Sequence, residues 1–215
     1  MKKEVTFREY RDQDEKKIEK IIRKTWNYDK FCDDRVSKLL SEVFLFSCLC
    51  NQTYTQVAEM DGEVLGVIMA KDIKSHKAPL KYRLKLLHSL ISIKRSKRGR
   101  EALAIFEKVR EIDDILLKNS GKPYSAELAF FAMDSEYRGL GIGKSLFEMA
   151  KSYMESNSLE DFFLFTDTSC NFKFYDHLGM KKNNEEKTFF DFYNSNQDST
   201  FFIYDFSFKG AVLDA

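Results

Sequence analysis

Apolar positions along the chain alternate between a period of two and a period near 3.6 residues, and the switches mark the elements. Val5-Thr6-Phe7-Arg8-Glu9 alternates and predicts a short strand. Ile18, Ile21, Ile22 and Trp26 share one face of a helix over roughly 12–26, which Asp12 or Asp14 can cap. Val36, Leu39, Leu40, Val43, Phe44 and Phe46 give a second helix, about 33–50, a broad apolar face, so it should be well buried. Two extended runs, 53–60 and 63–70, flank Asp61-Gly62, a strong hairpin signal.

The helical period then returns for some fifty residues. Leu80, Leu84, Leu87 and Ile91 keep helical spacing, and so do Ala102, Ile105, Phe106, Val109, Ile112 and Leu116. Asn119-Ser120-Gly121-Lys122-Pro123 is a clear stop. The spacing predicts an inserted helical pair over 72–122. Ser125 to Met133 is apolar on both faces, as a central strand is. Ile142, Leu146, Met149, Ala150 and Tyr153 mark a helix, and Phe162 to Thr166 another buried strand. A short helix over 171–178 ends at Gly179. Two last strands, 187–193 and 200–208, are expected around a polar loop at 194–199. The order predicts a mixed α/β sheet packed by helices.

Length and composition narrow this further. At 215 residues with 43% hydrophobic and 32% charged positions, the chain suits a single domain, 1–215, that carries the 72–122 insertion. No apolar run approaches the roughly 18–20 residues needed to span a bilayer. The start, Met-Lys-Lys-Glu-Val-Thr, lacks the apolar stretch of a secretory signal, so a cytoplasmic location is expected. Cys32, Cys48, Cys50 and Cys170 form no Cys-x-x-Cys pair and read as reduced thiols. His76, His88 and His177 are scattered, so no metal site is expected.

The net charge of +1 hides an asymmetry. Between Lys71 and Arg100 eleven Lys and Arg face one acid, Asp72, so this segment carries +10 and the remainder −9. Such a tract suits phosphates, an anionic lipid surface or an acidic partner, or it is simply a solvated face. Interleaved Leu84, Leu87 and Ile91 suit a partly buried helix better than a nucleic-acid arm, so nucleic acid is disfavoured as a partner.

The stretch most informative for chemistry runs from Ala126 to Ser145. A buried strand enters a turn, then Arg138-Gly139-Leu140-Gly141-Ile142-Gly143, then an amphipathic helix. Glycines allow positive φ and close backbone approach. The unsatisfied amides of the first helical turn, with the positive end of the dipole, suit a phosphate, and Arg138 and Lys144 add charge. A Walker A loop needs glycine where Arg138 stands, and a dinucleotide fingerprint needs glycine where Lys144 stands, so both fail.

Arg138-Gly139-Leu140-Gly141-Ile142-Gly143 resembles the Arg/Gln-x-x-Gly-x-Gly/Ala loop of the GNAT N-acetyltransferase superfamily. Asn171-Phe172-Lys173-Phe174-Tyr175-Asp176-His177-Leu178-Gly179-Met180 is similar to that family's second signature, and the element order agrees over about 1–70 and 123–208. The insertion departs from the family. The resemblance implies a mostly antiparallel, twisted sheet of about seven strands flanked by helices, with the insertion between strands three and four. It implies acetyl-CoA in a V-shaped gap between strands four and five, with an unidentified amine as acceptor. By the same resemblance, the amides from Arg138 through Gly139, Leu140, Gly141, Ile142 and Gly143 to Lys144 hold the pyrophosphate, with Ser145 beside them. Phe131, Ala132 and Met133 pair with the pantetheine arm, and the amide of Met133 or its neighbour polarises the thioester carbonyl. Glu127 stands where several members carry a general base, against the plainer reading of a strand-end Glu paired with a lysine. Tyr175 stands where the general acid commonly sits, or is a core aromatic, and Asn171 bonds the pantetheine or caps its helix. Asp167 and Ser169 face the acceptor or form a turn. Cys170 lacks a His-based constellation for a nucleophile. Trp26, Tyr28, Phe31, Tyr193 and Tyr204 are expected to shape the acceptor site, and the insertion could act as its lid. The oligomeric state is open, with a homodimer through the last strands or the insertion as one arrangement. The competing reading is a non-catalytic CoA-binding or anionic-surface protein that uses the basic insertion.

Overall fold

The computed structural model describes residues 4–192 and 195–210, the backbone alone at 190–192, 195–198 and 210. Seven strands form one sheet: β1 (Thr6–Arg8), β2 (Tyr54–Met60), β3 (Glu63–Asp72), β4 (Ala126–Met133), β5 (Asp161–Asp167), β6 (Lys181–Phe192) and β7 (Ser195–Ser207). Their spatial order is β1-β2-β3-β4-β5-β7-β6. Every neighbouring pair is antiparallel except β4 with β5. The helices are α1 (Glu15–Thr25), α2 (Tyr28–Phe31), α3 (Asp34–Cys50), α4 (Leu80–Lys94), α5 (Lys97–Ser120), α6 (Ile142–Ser156) and α7 (Lys173–His177). The mixed α/β sheet of seven strands and the helical pair between the third and fourth strands are as the sequence predicts.

Two apolar layers hold the sheet. On one face α6 buries Ile142, Leu146, Phe147, Ala150 and Met154 against Leu65, Ile68, Leu128, Phe162 and Tyr204. On the other face α1 and α3 cover Val57, Val67, Met69, Phe130 and Ala132. Here α5 joins them, packing Ile112 and Leu116 on Phe163, Phe201 and Ile203. The insertion is therefore part of the core. Local signals set the helix ends: Asp33 accepts from the amide of Val36 at 3.0 Å and Ser96 from that of Gly99 at 2.9 Å, two N-caps.

Three expectations are corrected. The polar run expected as a loop at 194–199 is strand over 195–199, because β7 begins at Ser195 and pairs Ser199 with Thr188. Ladder bonds come from the backbone, so a polar strand pairs as well as an apolar one; the hairpin tip lies outside the described residues. Leu80, Leu84, Leu87 and Ile91 are not buried but lie on the solvent face of α4, 67, 58, 54 and 50% exposed. Ile93 and Ser89 make the buried contact instead. Tyr204, expected near the acceptor, is a core residue at 1% exposure. Tyr193 lies outside the described residues.

The parallel pair positions the site. β4 and β5 are in register only at Ala126↔Phe162 and Glu127↔Phe163. Beyond that point they part. An irregularity in the β3–β4 ladder between Met69 and Lys71 turns the strand as it goes: Ala126 and Leu128 face α6, whereas Phe130 and Ala132 face α1 and α3. A bulge adds local twist, and here it swings β4 away from β5.

Candidate functional site

The gap between the parted strands is a cleft of about 810 Å³. Its walls come from β4 and from Leu164, Phe165, Thr166 and Asp167 of β5. The glycine loop, Trp26 and Asn27, α7 and the insertion's Val109 and Asp113 complete the lining.

At the loop, Gly139 and Gly141 take φ of +81° and +79°, and a Cβ on either would meet nothing. Left-handed backbone there is what favours glycine, since it strains other residues. Gly141 caps α6, and the amide of Ser145 is the first to bond back, to the Gly141 carbonyl at 3.0 Å. Among the described residues the amides of Gly139, Leu140, Gly141, Ile142, Gly143 and Lys144 donate to nothing. Arg138 donates its own amide to the Ser135 carbonyl at 3.5 Å. Of the side chains, Arg138 and Lys144 line the cleft, Leu140 points to solvent and Ile142 is in the core. A Cβ on Gly143 would lie 3.5 Å from Phe131 and 3.6 Å from Phe174, so this glycine sits against the cleft wall. Six open amides at a helix start, with two cations beside them, form a site for an anion of diphosphate size.

β4 offers further open backbone. The amide of Asp134 donates to the Leu65 carbonyl of β3 at 2.8 Å. Alternation along an antiparallel ladder then turns the peptide groups of Ala132 to β3 and those of Phe131 and Met133 to the gap. Phe131 and Met133 are thus free to pair with an extended ligand, while the backbone of Ala132 is occupied.

Where the strands still pair stands Glu127, its side chain 18% exposed. It lies 3.7 Å from Lys71 Nζ and accepts from Asn51 Nδ2 at 3.2 Å. Burial raises its pKa, and Lys71, Asn51 and His76 hold the rise back. The lysine partner of the plainer reading is present, yet Glu127 also lines the cleft. Tyr175 lines the opposite side, with ring contacts to Phe174 and Tyr204 at 5.7 and 5.9 Å. Burial pushes its phenol up, and among the described residues its hydroxyl has no partner. Asn171 lines the cleft; Phe172 occupies the N-cap position of α7 with no side-chain cap bond, so Asn171 is no cap.

Asp167 and Ser169 form the turn, with Asp167 Oδ1 accepting from the Ser169 amide at 2.6 Å, and both also line the cleft. Burial first, then Asp167, raises the Cys170 thiol to about 11, so it stays a thiol at neutral pH. Trp26 lines the cleft and packs on Phe44 at 4.7 Å, whereas Tyr28 is in the α3 core.

One residue was not singled out by spacing. Asp113, on α5, lines the cleft with a buried Oδ1 that has no partner among the described residues. Burial pushes its carboxyl up to about 8, with Glu127, Asp167 and Asp114 adding like charge. Its only sequence signal is an acid four residues after Val109, at the edge of an apolar helical stripe. The cleft therefore has a basic, amide-rich mouth and an interior lined by the carboxyl groups of Asp113, Glu127 and Asp167.

A model described as the Acetyltransferase (GNAT) family matches residues 17–180. No curated protein sequence matches the chain. Among solved structures, an N-acetyltransferase of Staphylococcus aureus Mu50 is 13% identical, aligning 95% of this chain with 98% of its own at a TM-score of 0.53. The PaiA N-acetyltransferase of Thermoplasma acidophilum, solved in complex with coenzyme A, is 16% identical over 95% of this chain and 99% of its own, TM-score 0.52. A Streptococcus mutans UA159 protein is 14% identical over 94% and 98%, TM-score 0.56. Likenesses at this identity concern the fold; the family match runs over most of the chain, glycine loop and cleft strands included, and the chain belongs to the GNAT acetyltransferase family.

Proposed function

We propose that this acetyltransferase moves an acetyl group from acetyl-CoA to a primary amine of a small molecule or peptide, by direct attack with both substrates in the cleft. The observation that carries the reading is the run of open amides from Gly139 to Lys144 at the mouth of a gap between β4 and β5. These amides, with Arg138 and Lys144, hold the diphosphate of the donor. Phe131 and Met133 pair their free backbone groups with its amide-bearing arm, as an added strand does. Asn171, just before α7, borders the same arm.

The interior supports an amine acceptor. Glu127 and Asp167 favour a group that arrives as a cation. A primary amine with pKa near that of lysine, about 10.4, must lose its proton before it attacks. Glu127, raised by burial, takes that proton directly or through water. As the new C–N bond forms and the C–S bond breaks, Tyr175 gives its proton to the departing sulfur, and the second proton shed by the nitrogen restores the phenol directly or through water. Cys170, held as a thiol, takes no part, which favours direct transfer over an acyl-enzyme.

The test is calorimetry with acetyl-CoA, then thiol-release assays against amines, polyamines, aminoglycosides, amino acids and peptides. Failure to bind acetyl-CoA at millimolar concentration would overturn the reading. Glu127→Gln should leave acetyl-CoA affinity unchanged and lower turnover by about 10²–10⁴, the usual range for losing an acid–base group. Unchanged turnover removes Glu127 from the mechanism.

A further inference from the structure

The outer face of α4 is built the wrong way round for a solvated helix. At 3.6 residues per turn, Leu80, Leu84, Leu87 and Ile91 fall on one stripe, and all four are at least half exposed. The opposite face, with Ser89 and Ile93, is the buried one. The stripe runs from Leu80 to Ile91, roughly 17 Å at 1.5 Å per residue. Solitary exposed apolar residues are ordinary, but four in line form a patch.

The charges that α4 itself carries beside the stripe are all of one sign. Helical angles place Arg83 and Lys94 on one shoulder and Lys81, His88 and Arg95 on the other, and α4 has no acid. Lys81 is drawn to Asp12, and Lys85, on the inner side, to Glu15. Arg83, Lys94 and Arg95 are exposed and have no ion pair among the described residues. An apolar stripe between basic shoulders is the layout of a helix lying in the plane of a lipid interface.

We propose that the outer face of α4 docks on an anionic membrane surface. Leu80, Leu84, Leu87 and Ile91 enter the boundary between headgroups and acyl chains, and Arg83, Lys94 and Arg95 meet lipid phosphates. Charge complementarity selects this occupant. A second copy packed on the stripe sets basic shoulders against basic shoulders, which repel. The surface is separate from the catalytic cleft, where none of these seven residues is found.

The test is co-sedimentation of the full chain with vesicles of phosphatidylcholine alone and of phosphatidylcholine with phosphatidylglycerol, at low and high salt. Binding should require phosphatidylglycerol and weaken with salt. The pairs Leu84→Ser/Leu87→Ser and Arg83→Glu/Arg95→Glu should each reduce the bound fraction about tenfold or more. Both alter exposed side chains, and far-UV circular dichroism with acetyl-CoA calorimetry checks that fold and cleft are intact. Equal binding to neutral vesicles, no binding to anionic ones at low salt, or full binding by both variants overturns the proposal. A wild-type dimer in size-exclusion chromatography that Leu84→Ser/Leu87→Ser dissociates overturns it too, because the stripe is then covered by a second copy.

Discussion

Replacing Asp113 by Asn tests what a half-buried carboxylate beside Glu127 and Asp167 does to the protein. Burial raises the Asp113 carboxyl from its ordinary 3.8 to about 8, so the folded chain holds a proton there that the unfolded chain releases. The sign follows from linkage. A raised folded pKa contributes stability that is fully present below the unfolded value and is lost as pH rises through the folded one. Between pH 4 and 8 the wild type should lose about 1.4 kcal/mol per pH unit through this group. Asn keeps the shape and does not titrate. At pH 7, about three units above the ordinary value, the variant should be the more stable by up to about 4 kcal/mol. Water reaching the cleft lowers that ceiling. For a chain of this size each kcal/mol moves Tm by about 2–4 °C, so the gap at pH 7 is at most about 8–16 °C. Thermal melts of both proteins from pH 4 to 8 make the measurement. The Tm gap should be near zero at pH 4 and widen steadily with pH. A gap that does not change with pH refutes the argument, because Asp113 is then not a proton-holding carboxyl in the folded state.

Other outcomes follow from the same geometry. Gly141→Val puts a β-branched residue at φ +79°, costs about 1–2 kcal/mol of local strain and should abolish acetyl-CoA binding in calorimetry while circular dichroism stays native. Tyr175→Phe should reduce turnover and leave acetyl-CoA affinity unchanged in steady-state and binding assays. Cys170→Ala should keep most of the turnover in a thiol-release assay. Ile203→Ala, at the fully buried contact between β7 and α5, should cost about 2–5 kcal/mol in urea unfolding, against the small effect expected were the insertion a loose lid.

The chain's periodicities determined the elements and their order by themselves. Asp61-Gly62 fixed a hairpin, Asn119 to Pro123 stopped a helix, and three glycines between a buried strand and an amphipathic helix marked an anion site. These are local signals, because φ preference, capping and side-chain period act within a few residues. What they leave undetermined is which face of an element is covered. Leu80, Leu84, Leu87 and Ile91 have the spacing of a buried stripe, but α3 and α5 take the other side of α4, so the stripe faces water. The pairing of Ser195–Ser207 was hidden for a related reason: ladder bonds ignore side-chain polarity, and the run at 195–199 looked like a loop. Asp113 enters the cleft only because α5, some fifty residues before β5 in the chain, lies across β5 and β7. Sequence carries a carboxylate's identity, but the neighbours that desolvate it come from distant segments, and only the packed sheet brings Asp113, Glu127 and Asp167 to one cavity.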